Sequence, residues 1–559
     1  MLTRFGPPLA IVLLAGPILL GIAGTLLPAF GYLPALGGET FTFEHFGRLL
    51  AEPGIGISVT LSFGAGIAAT AISLTVVMFF VAGWAGTKSF QRIVHLISPL
   101  LSIPHAAAAF GLAFLIAPSG MIARALSPWL TGWSQPPDMQ VVNDPLALSM
   151  IAGLVVKEIP FLLLVTLAAL PQSDARRMHA LTTSLGYGAI AGFLHGPWRL
   201  IYRQIRLAVF AVIAFSSSVV DVATILGPTT PAPLAVRLVG WMGDPDLSMR
   251  FFASAGALLQ LAVTAATLAV WVALERIGAV LRDRIAVSGR RFRRDLWLRR
   301  AAFAAMTLSA AVIFAGLATM CLWSLAGLWQ FPDALPRRFG IETWVKTLPR
   351  ALDPLATTLL VATLSTALAV MLGLLFLASE DETGGQPRRW PVLLVYLPLI
   401  VPQVAFLFGL QLLFLLTGTD ASLGALVSAH LVFVAPYVFL SLSDPWRAHD
   451  RRYDAIAAGL GKSRRTTMLR IRLPMLARAV LTAAAVGFAV SVGLYLPTVL
   501  IGAGRLETIT TEAVALASGG NRRVIGVYTF LQMLLPAAGF LVATVLPALV
   551  FRHRRGMRV

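Results

Sequence analysis

Twelve stretches of this chain are apolar over about twenty residues or nearly so, near 8–30, 55–84, 95–118, 146–171, 207–227, 251–274, 301–328, 354–378, 391–417, 423–443, 479–502 and 524–550. About twenty residues is what a helix needs to cross ~30 Å of hydrocarbon, where backbone polar groups can be satisfied only in helices or closed barrels. Of its 559 residues, 57% are hydrophobic and only 12% charged, against about 25% charged in soluble domains. The sequence therefore specifies an all-α polytopic membrane protein. No polar stretch is long enough for an extramembrane catalytic or nucleotide-binding domain. The first span is expected to stay as a membrane helix, because its apolar run from Pro8 to Phe30 exceeds the roughly 7–15 residues of a cleavable signal core. One cysteine, Cys321, excludes an intramolecular disulfide and any CxxC metal or redox motif.

The chain carries 44 Lys and Arg against 25 Asp and Glu, a formal charge of +19. In a soluble protein that excess would suggest nucleic acid. Here most of the positive residues fall in alternate loops, which the positive-inside rule assigns to the cytoplasm together with both termini. The densest are Glu275 to Arg300, with nine arginines, and Asp444 to Arg478, with nine basic residues. The lipid bilayer is the implied partner and nucleic acid is not.

The chain also repeats itself. Pro104-x6-Gly111-Leu112 in the third span matches Pro402-x6-Gly409-Leu410 in the ninth, and Pro160 matches Pro436. Leu185-Gly186 matches Leu460-Gly461, and Gly227 matches Gly502, both at an offset of 275. A longer outer loop between Ile122 and Asp144 absorbs the different offset of the earlier pair. The expectation is two parallel six-helix repeats, residues 1–274 and 301–559, joined by a basic cytoplasmic linker at 275–300. Repeats of this kind place a pathway between the halves.

Between the tenth and eleventh spans lies Tyr453-Asp454-Ala455-Ile456-Ala457-Ala458-Gly459-Leu460-Gly461, and then Arg470-Ile471-Arg472-Leu473-Pro474. A short helix from about Asp454 to Leu460 should stop at Gly461, which suits a left-handed turn, and a second should run to Pro474. The stretch resembles the cytoplasmic EAA loop of ABC importer permeases, EAA-x3-G-x9-I-x-L-P. Gly461, Ile471, Leu473 and Pro474 fit that spacing; Ala455 stands where the glutamate belongs, with Asp454 one residue earlier. The first repeat keeps Leu185-Gly186 but has Gly196, Trp198 and Arg199 in place of the Ile-x-Leu-Pro residues. The segments 218–228 and 510–520 are also similar to fused permeases of the ferric-iron and thiamine type. The resemblance implies the type I importer fold in the bacterial inner membrane, a periplasmic solute-binding protein and a cytoplasmic ATPase homodimer coupled through both loops. ATP and magnesium would then reside on that ATPase, with no cofactor on this chain. Gly459 to Ser463 ends like a phosphate loop but has Ile456 where the leading glycine is required.

Charges inside apolar spans are costly and mark candidate pathway residues. Asp221 in the fifth span stands opposite Leu496, and Ser217, Ser218, Tyr495 and Thr498 surround the two positions. Lys157 and Glu158 are adjacent in the fourth span, each expected to pair with another helix, for instance through Asp221. Glu512 falls near the outer mouth. Three carboxylates facing one pathway would imply a cationic solute. The competing classes are an ion-coupled secondary transporter of the six-plus-six kind, which leaves the EAA-type spacing unexplained, and a membrane-embedded transferase, for which no catalytic cluster exists.

Overall fold

The computed structural model describes residues 6–382 and 395–550. Every named element in it is helical, and the only strand-type pairings among the described residues are two isolated bridges, Leu33 with Gly38 and Ala326 with Phe339. The principal helices are α1 (Gly6–Ala29), α2 (Ile55–Trp84), α3 (His105–Ile116), α4 (Leu148–Ala169), α5 (Trp198–Ser218), α6 (Met249–Val287), α7 (Leu296–Leu325), α8 (Glu342–Glu382), α9 (Gln403–Leu416), α10 (Leu423–Arg447), α11 (Ala477–Gly493) and α12 (Arg522–Val550). Ten described helical stretches are long and apolar enough to cross a membrane, and α11 joins them when counted with the helical segment Arg464–Met475, from which it bends by 73°. The shorter α9 is apolar over 14 residues; the expected span at 391–417 begins in part outside the described residues.

Four expected spans are broken rather than continuous. Before α3 and α9 the chain turns at Pro104 and Pro402, and the preceding Ile103 and Val401 are extended, with ψ of 125° and 126°. Proline lacks an N–H and pushes the residue before it out of the helical region. After α5 and α11 the chain extends at Val219 and Leu494, then resumes in the short helices Asp221–Leu226 and Leu496–Gly502. Breaks at membrane depth require other partners for the freed backbone groups. Gln260 Nε2 donates to Ser217 O (3.0 Å), and Lys157 Nζ donates to Leu100 O (3.0 Å) and Leu101 O (3.1 Å). Thr510 Oγ1 donates to Val492 O and itself accepts from Gln532 Nε2 at 2.7 Å. The His430 ring, buried in α10, bridges Ser491 Oγ (2.8 Å) and Thr498 Oγ1 (3.0 Å) across the second break.

The first helix of each half packs on the third span of the other: α1 on α9, and α7 on α3. Small residues let these backbones approach. A Cβ on Gly24 would lie 2.9 Å from Gly409 O, and one on Gly316 would lie 2.9 Å from the Gly111 carbonyl carbon. Gly409 N donates to Thr25 Oγ1 (3.1 Å), fixing the first crossing. The matched Gly111 and Gly409 are thus crossing points.

The linker expected over 275–300 is mostly helix, since α6 continues to Val287 and α7 starts at Leu296. Arg206 and Glu275 form an ion pair at 2.7 Å that ties the extension of α6 to the start of α5.

Gly111→Val and Gly409→Val should each destabilise the chain by about 1–3 kcal/mol or more, the usual cost of overpacking, whereas Gly64→Val, whose Cβ meets nothing within 4 Å, should be nearly neutral. Thermal unfolding of the detergent-solubilised variants measures both.

Candidate transport pathway and coupling surface

All four breaks open onto one cavity of about 240 Å³. Its walls include residues 101–105, 218–221, 401–403 and 493–496, with Lys157, Glu158, Phe433 and Tyr437 from α4 and α10. Of the residues singled out in the sequence, Ser218, Asp221, Tyr495 and Glu158 meet here. Ser217, Thr498 and Glu512 are not among the lining residues. Ser217 turns toward Thr264 (3.1 Å), and Thr498 is held by His430. Glu512 lies on the short helix Ile509–Ala515, where partial burial and the adjacent Glu507 carboxylate raise its pKa.

The pairing expected of Lys157 and Glu158 through Asp221 is not what forms. Lys157 is committed to the two carbonyls at the end of the preceding helical turn, where a cation complements the helix dipole. Glu158 Oε1 meets His105 Nε2 at 3.3 Å, and His105 also packs against the Phe215 ring. His105 was the residue that sequence reading missed. It directly follows Pro104, in register with Gln403 after Pro402, and both line the cavity. At offsets matching the repeat, the two halves contribute unlike groups: His105, Lys157 and Asp221 from the first, Gln403, Phe433 and Leu496 from the second. The cavity therefore has a side bearing ionisable groups of both signs and a largely apolar, aromatic side.

Two loops, one after α4 and one after α10, carry short exposed helices. In the second half the helix Arg452–Gly459 ends at Leu460, and Gly461 takes φ +70°. Its N–H donates to Ala458 O (2.9 Å), and Lys462 N donates to Ala457 O (3.0 Å), which closes a glycine-type helix end. The next helix is capped by Ser463, whose side chain accepts from Thr466 N, and passes through a π-helical turn, Met468–Arg472, before Leu473–Met475. Pro474 sits in the first turn of that last piece and does not end the helix. The first half has the same ending: helix Ala175–Ser184, then Gly186 at φ +79°, with Gly186 N donating to Thr183 O (2.9 Å) and Tyr187 N to Thr182 O (3.1 Å). Both loops leave an apolar i, i+4 pair in the open. Ile456 and Leu460 are 61% and 71% exposed, and Leu181 and Leu185 are 53% and 55% exposed. Ala455 is exposed, while Ile471, Leu473 and Pro474 are half-buried at the base.

A charged cluster fastens the second loop to the bundle. Arg472 Nη1 reaches Asp381 Oδ2 (2.6 Å) at the end of α8, and its guanidinium lies 3.9 Å from the Trp446 ring centroid on α10. Trp446 Nε1 donates to the same Asp381 oxygen at 3.0 Å, and Arg451 reaches its other oxygen at 3.2 Å. Asp454 lies 3.9 Å from Arg472 and 3.5 Å from His449. The cluster thereby joins the loop to α8 and α10, and α10 reaches the cavity through Phe433 and Tyr437.

No protein-family model matches the chain. It is 31% identical over 556 residues to the inner membrane ABC transporter permease protein YnjC of Escherichia coli (strain K12), covering 98% of this chain and 99% of that protein. It is 24% identical over 220 residues, 39% of this chain and 82% of the relative, to PhnV of Salmonella paratyphi A, a permease named for 2-aminoethylphosphonate transport. A stretch of 146 residues, 25% of this chain and 58% of the relative, is 30% identical to the molybdate/tungstate transport system permease protein WtpB of Thermococcus kodakarensis.

Arg472→Met should remove a charge-assisted contact worth about 1.5–3 kcal/mol. Amide exchange across Arg452–Gly459 should then speed by about tenfold or more while that of Leu148–Ala169 stays unchanged, as hydrogen-exchange mass spectrometry will read.

Proposed function

The chain belongs to the permease subunits of ABC transporters, a multi-pass inner-membrane component, and from that premise we propose that it is an importer permease in which two fused repeats, 1–274 and 301–559, surround the central cavity. Both termini and the two glycine-ended loops then face the cytoplasm. There a homodimeric ATPase, which binds the ATP and magnesium, seats one subunit on each loop, and a periplasmic solute-binding protein delivers the solute to the opposite face. The chain itself carries no catalytic role and no cofactor.

The observation that most supports this reading is the pair of matched apolar ridges, Leu181 with Leu185 and Ile456 with Leu460, left exposed at the tips of the loops. An exposed apolar ridge beside a fixed turn is what a partner groove recognises. Asp454, Ala455, Gly461, Ile471, Leu473 and Pro474 shape one docking loop, and Leu185 and Gly186 the other. Each partner favours one of two cavity states by binding it better, which is how ligand energy shifts a conformational equilibrium. An ion-coupled mechanism has no use for two such ridges.

The cavity further suits a small organic cation with an apolar portion. Asp221 and Glu158 supply carboxylates, Tyr437, Tyr495 and Phe433 supply ring faces, and the lysine of the lining, Lys157, is engaged by the Leu100 and Leu101 carbonyls. Cations bind ring faces and carboxylates, whereas oxyanions are recognised best by guanidinium groups. PhnV and WtpB are named for phosphonate and oxyanion transport; among the described residues, the lining here has two carboxylates and no guanidinium group. Ser217, Thr498 and Glu512 support the pathway from outside the cavity wall.

Gly461→Val places a β-branched side chain at positive φ and should abolish copurification of the ATPase while the chain remains inserted; retention of the ATPase would contradict the docking role. Asp221→Asn should lower ATP-driven solute uptake by about tenfold, equivalent to about 1.4 kcal/mol, with ATPase copurification intact. Uptake assays on the two variants side by side separate coupling from solute recognition.

A further inference from the structure

The two loops are shaped differently, although their helices end alike. In the second loop the helix after Gly461 is capped from within, by Ser463. The first loop has no equivalent: Gly188 precedes the helix Ala189–His195 and offers no side chain. The caps come instead from the segment joining the two halves. Arg291 donates to Leu185 O, and Arg293 Nε donates to Gly186 O at 3.1 Å, so that two guanidinium groups sit where the helix Ala175–Ser184 ends in unpaired carbonyls. Asp295, itself buried, accepts from Ile190 N at 2.9 Å, so that a carboxylate sits where the next helix begins. Cations at a helix C-terminus and an anion at a helix N-terminus are the favourable placements for helix dipoles. Gly188 N also donates to Arg291 O (2.9 Å), and a Cβ on Gly186 would lie 2.9 Å from Arg293 Nη2, so loop and linker are closely apposed. Four residues on, Arg299 donates to Gly83 O (2.7 Å) and anchors the start of α7 on the end of α2.

The segment also presents a face of its own. Arg290 and Arg294 are exposed, and Phe292, held at φ +42°, is 54% exposed. A phenylalanine in the left-handed region is unfavourable without support, and the contacts on either side supply it. The exposed ring and two arginines thus belong to a segment that abuts the loop at Leu185 to Gly188.

We propose that residues 290–295 form, with the first loop, one composite docking surface for a cytoplasmic ATPase subunit: Arg291, Arg293 and Asp295 set the loop's shape, and Arg290, Phe292 and Arg294 contact the partner. This rests on the permease reading above and adds a surface that the second loop does not have. The partner groove it fits is apolar at its floor and acidic at its rim on this side, so the two ATPase subunits meet unlike surfaces.

The test uses the full chain coexpressed with its ATPase in native membranes, with the photocrosslinking residue p-benzoylphenylalanine in place of Phe292, Leu185 or Ile456, one at a time. ATPase adducts are expected at all three positions. Arg291→Ala combined with Arg293→Ala should cut the adduct at position 185 at least fivefold and leave that at position 456 unchanged, which also shows that the variant has folded. Adducts at 185 and 456 but none at 292 overturn the composite surface. Adducts at 456 alone overturn it by showing the first loop to be idle. Adducts at none of the three overturn it together with the docking reading on which it rests.

Discussion

Backbone amides and carbonyls have no water to turn to inside a bilayer, so any interruption of a helix there must find partners within the protein or open onto a cavity. Four spans of this chain are interrupted, and all four interruptions border the same cavity. Lys157, Gln260 and the Thr510–Gln532 pair take up the freed carbonyls, and His430 ties α10 to the break that follows α11. The breaks set the chemistry of the interior, and side chains from neighbouring helices take up the backbone groups they free.

The halves are held by exchange rather than by simple apposition. The helix α1 packs on α9 and α7 on α3, with backbones nearly touching at Gly24, Gly409, Gly111 and Gly316, so segments far apart in sequence are interleaved. Polar contacts fasten the loops to the spans. Arg472, Asp381 and Trp446 provide one set beneath the second loop; Arg299 and Gly83 provide another beside the first.

Among the described residues, ten helices long and apolar enough to cross a membrane fall where hydropathy expected spans, because apolar length is a strong and local signal. The proline breaks at 104 and 402 were legible as repeat markers, and Gly461 was legible as a helix end because φ > 0 selects glycine. The break at Val219 was not, since no glycine or proline stands there; the break at Leu494 lies between Gly493, which ends α11, and Pro497, in the first turn of the next helix, a pair legible in the sequence but not read as a break. Among the candidate pathway residues, Asp221, Glu158, Ser218 and Tyr495 reach the cavity, while Ser217 and Thr498 point into neighbouring helices, a choice of helix face that a broken span leaves undetermined. His105 was not legible because a lone histidine beside a proline in an apolar span carries no periodic or spacing signal. The arginines at 290–294 read as topology signals, and their contact with Leu185 and Gly186 spans more than a hundred residues.

The central claim is that work enters this chain from a partner that hydrolyses ATP and not from an ion gradient. Solute uptake into proteoliposomes containing the chain, its ATPase and its binding protein tests this directly, with ATP and a proton or sodium gradient imposed separately. Accumulation is predicted with ATP alone and none with a gradient alone. Accumulation driven by a gradient in the absence of the ATPase would contradict the account.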